Sequence, residues 1–266
     1  MPSLIHSTAL IGDNTILGKE VEVGPYVVIE DGASVGDQCV IESHAVIKKW
    51  AHIDMNCRIG NHSVLGGDPQ HLEFDTEICS FVKVGKNCRI GEGVTIHRSI
   101  HENQSTKVDD NVFLMGNSHV AHDCFLGNNV ILANGALLGG HVEIGRNVFI
   151  GGGAGIHQFV RIGSGAMIGG LAEISKDVGP NLLILGRNQA RGLNRVGMQR
   201  RNVPQKEIDQ LKKLYREILC KPCNIIQLAK QRLKDFQNYP SATAQEFLEF
   251  YTYGKRGFAR HLKEKL

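Results

Sequence analysis

The chain has 266 residues, of which 42% are apolar and 21% charged, with a formal charge of +3. This is a globular composition, and it excludes a disordered or collagen-like polymer. No apolar run approaches the ~18 residues of a membrane span, and the opening MPSLIHSTALIG lacks a basic stretch before an apolar core. Neither a membrane span nor a signal peptide is expected, and the expected compartment is the cytoplasm. The small net charge hides two unequal parts. Residues 1–186 hold 12 basic and 20 acidic side chains, and residues 187–266 hold 18 and 7. An acidic body with a basic tail suits nucleic acid or an acidic protein as partner. Seven cysteines, an odd number, are spread along the chain and are expected to be reduced thiols. The close pair Cys220 and Cys223 lacks the second pair that would mark a zinc site.

In chain order, aliphatic residues recur every six positions from Ile5 through Ile11, Leu17 and Val23 to Leu65, often with glycine next. The series resumes at Val84, Ile90 and Ile96, and then runs from Val108 and Leu114 to Ile174. Neither a helix of period 3.6 nor an alternating strand gives a period of six. A hexapeptide solenoid does, because each short strand turns one aliphatic side chain inward and stacked coils bury a continuous column. The first break, GGDPQHLEFDTEICSF, is predicted to bulge out as a loop near 67–80, the step from Leu65 to Val84 being one residue longer than an 18-residue coil. The second, HRSIHENQSTK, is predicted to be a loop near 97–107. Loops interrupting a rigid scaffold are where function concentrates.

The hexads end near Ile174, so residues 1–189 are predicted to form the solenoid and 190–266 a basic α-helical domain. Helical spacing of Ile208, Leu211, Leu214, Tyr215, Ile218 and Leu219 marks one helix. A second is expected over 223–236, and a third from Thr243, with Glu246 completing a capping box.

An 18-residue coil places residues 18 apart above one another at the ~4.8 Å strand spacing. Gly140 then stacks on His122, Gln158 on Gly140, and His141 on Asp123. His122 stands two positions past its aliphatic residue, which puts it in a groove and not in the packed column. Gly116, Asn134, Gly152 and Gly170 form another column. It is read either as turn glycines or as a bare strip able to hold an alkyl chain against backbone.

The segments KVDDNVFLMGNSHVAHDCFLGNNVILANGALLGGHVEIG, IGGGAGIHQFVRIG and RGLNRVGMQRR resemble the bacterial UDP-N-acetylglucosamine O-acyltransferases that begin lipid A synthesis. The resemblance covers essentially the whole chain. It implies a β-solenoid fold, namely a left-handed parallel β-helix of hexapeptide repeats followed by a small α-helical C-terminal domain. It also implies a homotrimer with active sites between neighbouring β-helices, the 67–80 loop reaching across from the adjacent subunit. The implied reaction moves a 3-hydroxyacyl chain from acyl carrier protein, through its phosphopantetheine arm, to C3 of UDP-N-acetylglucosamine, with no metal and no other cofactor. In that reading His122 is the general base, Asp123 orients it, and the Gly140 N–H stabilises the oxyanion. His119, His141, His157 and Gln158 line the site. Asn194, Arg200 and Arg201 hold the nucleotide, and Gly152 and Gly170 leave room for a longer acyl chain. The acidic carrier protein fits the basic tail, and nucleic acid is not expected.

The first loop departs from the family pattern. Where members commonly read N-Q-D-L-K-Y, this chain has Pro69-Gln70-His71-Leu72-Glu73-Phe74. Gln70 matches, while His71 and Glu73 exchange the positions of acid and base. Val196 likewise stands where the family commonly has an acid. A 3-amino UDP-sugar is therefore a second candidate acceptor. Two activities outside the family remain to be weighed. One is a zinc enzyme like the γ-class carbonic anhydrases, whose two histidines are five apart where this chain has Asn117 and the pair His119/His122. The other is a non-catalytic trimeric scaffold.

Overall fold

The computed structural model describes residues 3–235 and 241–261. The hexads become two- to four-residue strands, with consecutive strands in a coil belonging to different sheets; among the described residues the three long sheets have 12, 9 and 8 strands, the last three of the 12 lying past the repeats. Within each sheet the coils pair parallel, as Leu4 with Glu22 and Phe113 with Ile131. The aliphatic residue of each hexad points inward; Ile41, Leu65, Leu114, Leu126, Leu132 and Ile150 are fully buried. Between strands the chain turns through residues of positive φ, many of them asparagines such as Asn87, Asn129 and Asn147. Asparagine tolerates this left-handed region better than most side chains.

The two breaks are insertions of different kinds. Val84 pairs with Ile53 and Ile90 with Ile59, an offset of 31 residues in place of 18. The first insertion therefore adds 13 residues at one corner, and the predicted coil with one extra residue is corrected, because the loop contributes no coil of its own. It occupies 68–80, between strands Val64–Gly67 and Phe81–Val84. At the second, Val108 pairs with Val84 at an offset of 24, an insertion of six residues. This loop spans 98–104 and not 97–107, since His97 ends one strand and Ser105–Val108 forms the next.

After the last coil, strands Leu182–Leu185 and Gln189–Leu193 pair antiparallel, and Arg260–His261 joins the latter. The predicted boundary at 189/190 falls inside this strand. Helices α1 (Arg195–Arg200), α2 (Gln205–Leu219), α3 (Ile225–Lys234) and α4 (Ala242–Phe250) lie between. The third predicted helix starts before Thr243. Ser241 caps it by accepting from the Ala244 N–H at 3.1 Å, while Thr243 donates to Glu207 on α2 at 2.6 Å and Glu246 pairs with Arg146. The helical part is tied to the solenoid by the buried pair Arg161–Asp177 at 2.8 Å, with the guanidinium over Phe250 and Tyr253. Among the described residues no helix is long and apolar enough to cross a membrane.

Adjacent residues of one strand give a direct test of the inward column. Leu126 is fully buried and Phe125 is 39% exposed. Chemical denaturation should show Leu126→Ala losing about 2–5 kcal/mol, and Phe125→Ala losing less than about 1 kcal/mol.

Candidate active site

The corner between the second and third sheets gathers most of the predicted residues. His122 and Asp123 follow strand His119–Val120, and Asp123 takes φ +59°, the left-handed turn of that corner. Nδ1 of His122 lies 2.9 Å from Asp123 Oδ2. An ionised carboxylate only accepts, so Nδ1 is the donor here, and the neutral form of the ring then carries its lone pair on Nε2. Burial alone would raise the Asp123 carboxyl. Donors from His122, Ser99 and the Ile100 N–H outweigh it and hold the group down at about 2.

One coil further on, Gly140 lies against the His122 ring. A β-carbon at Gly140 would sit 2.5 Å from His122 Cε1 and 2.7 Å from Nε2, so the imidazole occupies the space that a side chain would need. Among the described residues, the backbone bonds of this turn run from Gly139 to Ile156, from His141 to His122 and from Phe159 to Gly140. None of them uses the Gly140 N–H. His141, also left-handed, stacks on Phe159 with centroids 4.5 Å apart and lies 5.1 Å from the His122 ring. Burial lowers its pKa, against the pull of Asp123.

A cleft of about 560 Å³ opens here, walled by Gln70, His119, His122, Gly140, His157 and Gln158, with Leu137, Gly155 and Arg187. His71 stands edge-on to His122 at 6.4 Å. The first loop thus packs over the His122 of its own chain, where it was expected to reach across from the adjacent subunit. The loop is clamped by Arg98, which donates to Asp68 Oδ1 at 2.8 Å, to the Thr76 carbonyl at 2.8 Å and to the Ile78 carbonyl at 2.5 Å. Glu73 is exposed and does not wall the cleft.

The remaining predicted residues lie elsewhere. Gly152 and Gly170 stack at the corner between the first and second sheets, where Leu171 N donates to the Gly152 carbonyl. Asn194 caps α1 by accepting from Gly197 N at 3.0 Å, and Arg201 donates to Asn181 Oδ1 at 2.5 Å. Arg200 is exposed at the end of α1. None of these walls the His122 cleft.

Sequence reasoning missed His97, Ser99 and His101. The signal was present: with an insertion of six residues the local offset is 24, which stacks Thr95 on His119 and Ser99 on Asp123. Thr95 Oγ1 lies 2.7 Å from His119 Nδ1, and the His97 and His119 rings are 5.1 Å apart. His101, Asp123 and His141 bring metal-ligating atoms within 4.8 Å of one another. Both Asp123 oxygens there already accept from Ser99, Ile100 and His122, so the group is a hydrogen-bonded carboxylate. The pair weighed for zinc, His119/His122, is not in this cluster.

Residues 177–259 match the family model "Udp N-acetylglucosamine O-acyltransferase; Domain 2", and 32–67, 105–140 and 141–176 match "Bacterial transferase hexapeptide (six repeats)". An acyl-[acyl-carrier-protein]–UDP-N-acetylglucosamine O-acyltransferase of Aquifex aeolicus is 51% identical over 98% of this chain and 99% of its own. The chain belongs to this family. The Campylobacter lari member is 39% identical over 99% and 98% of the two chains. The solved UDP-N-acetylglucosamine acyltransferase of Campylobacter jejuni superposes with a TM-score of 0.90 at 34% identity, covering 97% of this chain and all of that one. LpxA of Acinetobacter baumannii gives 0.92 at 33% identity over the same shares. The fold is the left-handed β-helix with a small helical C-terminal part, and the chain is an acyltransferase.

Two outcomes follow from this geometry. Gly140→Ala should lower kcat by about 10²-fold or more, as loss of a catalytic donor or base does, with the circular dichroism spectrum retained. His119 is held neutral, its pKa lowered to about 4 chiefly by burial and then by His97 and His122. The unfolded chain binds that proton first, so stability falls as pH drops from ~6.5 to about 4. Melting temperatures over that interval should decline less steeply in His119→Gln than in the parent.

Proposed function

We propose that the chain transfers a 3-hydroxyacyl group from acyl carrier protein to the 3-hydroxyl of UDP-N-acetylglucosamine, in the cytoplasm, as the first step of lipid A synthesis. The observation that carries this is His122, with Nδ1 fixed on an ionised Asp123 and Nε2 beside Gly140 at the cleft wall. Nε2 removes the hydroxyl proton as the sugar oxygen attacks the thioester carbonyl. The Gly140 N–H receives the oxyanion, and the protonated imidazole returns its proton to the departing phosphopantetheine thiolate. No acyl-enzyme and no resident cofactor are needed. The relatives' names support an oxygen acceptor, and His71 supplies a polar ring beside His122 in spite of the changed loop sequence.

The working unit in this reading is a homotrimer. Phe113, Ile131, Phe149, Met167 and Leu183 follow one another in register along the first sheet and are each half-buried. The equivalent column on the third sheet reads Lys83, Lys107, Phe125, Glu143, Arg161. An in-register apolar column on one face suits contact with another copy. Gly152 and Gly170 flank that face, so a neighbouring copy would bring them, with Asn194, Arg200 and Arg201, toward His122. The basic tail, charged +11 over 187–266, supports approach of an acidic carrier protein.

The assay combines UDP-N-acetylglucosamine or its 3-amino analogue with 3-hydroxyacyl carrier proteins of several lengths. The hydroxyl sugar should be acylated faster than the analogue. His122→Ala should lose about 10²–10⁴-fold while native mass still reports a trimer, and Gly170→Met should shift preference to shorter chains. A parent chain silent on both sugars would overturn the reading.

A further inference from the structure

Ser99 lies in the second insertion, is fully buried, and so far appears only as a hydrogen-bond donor to Asp123. Its hydroxyl accepts from the His101 N–H at 2.9 Å and donates to Asp123 Oδ1. The His101 carbonyl, 3.3 Å away, is the other acceptor within reach, and an ionised carboxylate outcompetes a neutral carbonyl. The next residue, Ile100, donates its N–H to Asp123 Oδ2 at 3.1 Å. The Ser99 carbonyl in turn accepts from Ser80 Oγ at 2.6 Å, at the far end of the first loop. Asp123 is thus gripped on one oxygen by Ser99 and on the other by Ile100 and His122.

We propose that Ser99 is a positioning residue for the proposed transfer, acting through Asp123 to set the orientation and tautomer of His122. A carboxylate held by His122 alone could turn its plane about the Cβ–Cγ bond and lose its alignment with Nδ1. With Oδ1 tied to Ser99 and Oδ2 also receiving Ile100, only one orientation satisfies every donor. In that orientation Oδ2 meets Nδ1, which keeps the lone pair on Nε2 facing the cleft. The second insertion therefore serves the reaction in two ways. Arg98 clamps the loop that carries Gln70 and His71, and Ser99, the next residue, fixes the carboxylate behind the base. The hydrogen bond to a charged acceptor is of the stronger kind, and its loss is felt in the chemical step and not in sugar binding, because Ser99 does not wall the cleft.

This inference rests on the proposed transfer, and the test separates the two. Steady-state kinetics with UDP-N-acetylglucosamine would be measured for the parent, Ser99→Ala, Ser99→Thr, Asp123→Asn and the double variant Ser99→Ala/Asp123→Asn, with melting temperature and native mass followed alongside. Ser99→Ala should lower kcat about 10-fold with KM for the sugar nucleotide unchanged, and Ser99→Thr, which keeps the hydroxyl, should recover most of the loss. In the Asp123→Asn background the same Ser99→Ala change should cost much less, since the charged carboxylate that Ser99 orients is already gone. Equal losses in both backgrounds, or a parent-like Ser99→Ala, would overturn the positioning role while leaving the transfer standing. A Ser99→Ala loss that follows a fallen melting temperature, and that Ser99→Thr does not restore, would assign the residue to packing alone. A parent chain without turnover would overturn both.

Discussion

The molecule depends on one constraint, the stacking of coils at strand spacing around a column of single aliphatic side chains. Each coil past the first buries three such residues, and the coils exchange backbone N–H and C=O groups with those above and below. No coil is stable alone, and the energetics are those of nearest-neighbour stacking. The corners carry the cost. A left-handed residue is disfavoured by roughly 1–2 kcal/mol for an ordinary side chain, which is why asparagine recurs there. The exceptions are instructive. Tyr26 stacks on His44 at 5.0 Å and Phe159 on His141 at 4.5 Å, while Trp50 lies under Lys49 and Arg98. Tyr26 and Phe159 are held by the residue one coil away, and Trp50 by its chain neighbour and by Arg98 two coils on, so packing against other coils helps to offset the strain of the corners.

The active corner is a local modification of this regular stack. Where Gly140 follows His122 the column loses a side chain, and an imidazole lies flat on backbone. Where Ser99, Ile100 and His101 replace a tight turn, the inserted chain folds back to supply two donors to Asp123. The first insertion then covers the result, held by the buried guanidinium of Arg98 over Phe74 and Trp50. The geometry of this corner comes from rigid strand ends, and the loops restrict it further.

The regular part was legible in the sequence because a period of six leaves no other fold. Register alone put Gly140 on His122 and His141 on Asp123. What register could not reach were contacts created by insertions, whose lengths have to be known before neighbours can be assigned. Counting 24 residues across the second break would have found Ser99 and Thr95. Reading the first break as a coil with one extra residue hid the fact that His71 returns to its own chain. The caps were misread for a different reason: Thr243 and Glu246 had better partners on Glu207 and Arg146 than on their own helix, so tertiary contacts overrode a local motif.

The family residues divide between corners of a three-sided prism. His122 and Asp123 stand between the second and third sheets, and Gly152 and Gly170 between the first and second, with the full width of a sheet separating them. The interior between them is packed with aliphatic side chains, so within one chain a ligand could reach from one edge to the other only across the outer face of the second sheet. Cyclic association of identical copies removes the difficulty, since a heterologous contact sets one corner of each copy against a different corner of the next. The apolar column lies on the first sheet, beside the glycine corner. The third sheet, beside the histidine corner, carries mixed charges, and at Arg161 it is covered by the helical part. In the proposed trimer the chemistry and an acyl-chain groove would share one site without either having to deform the stack.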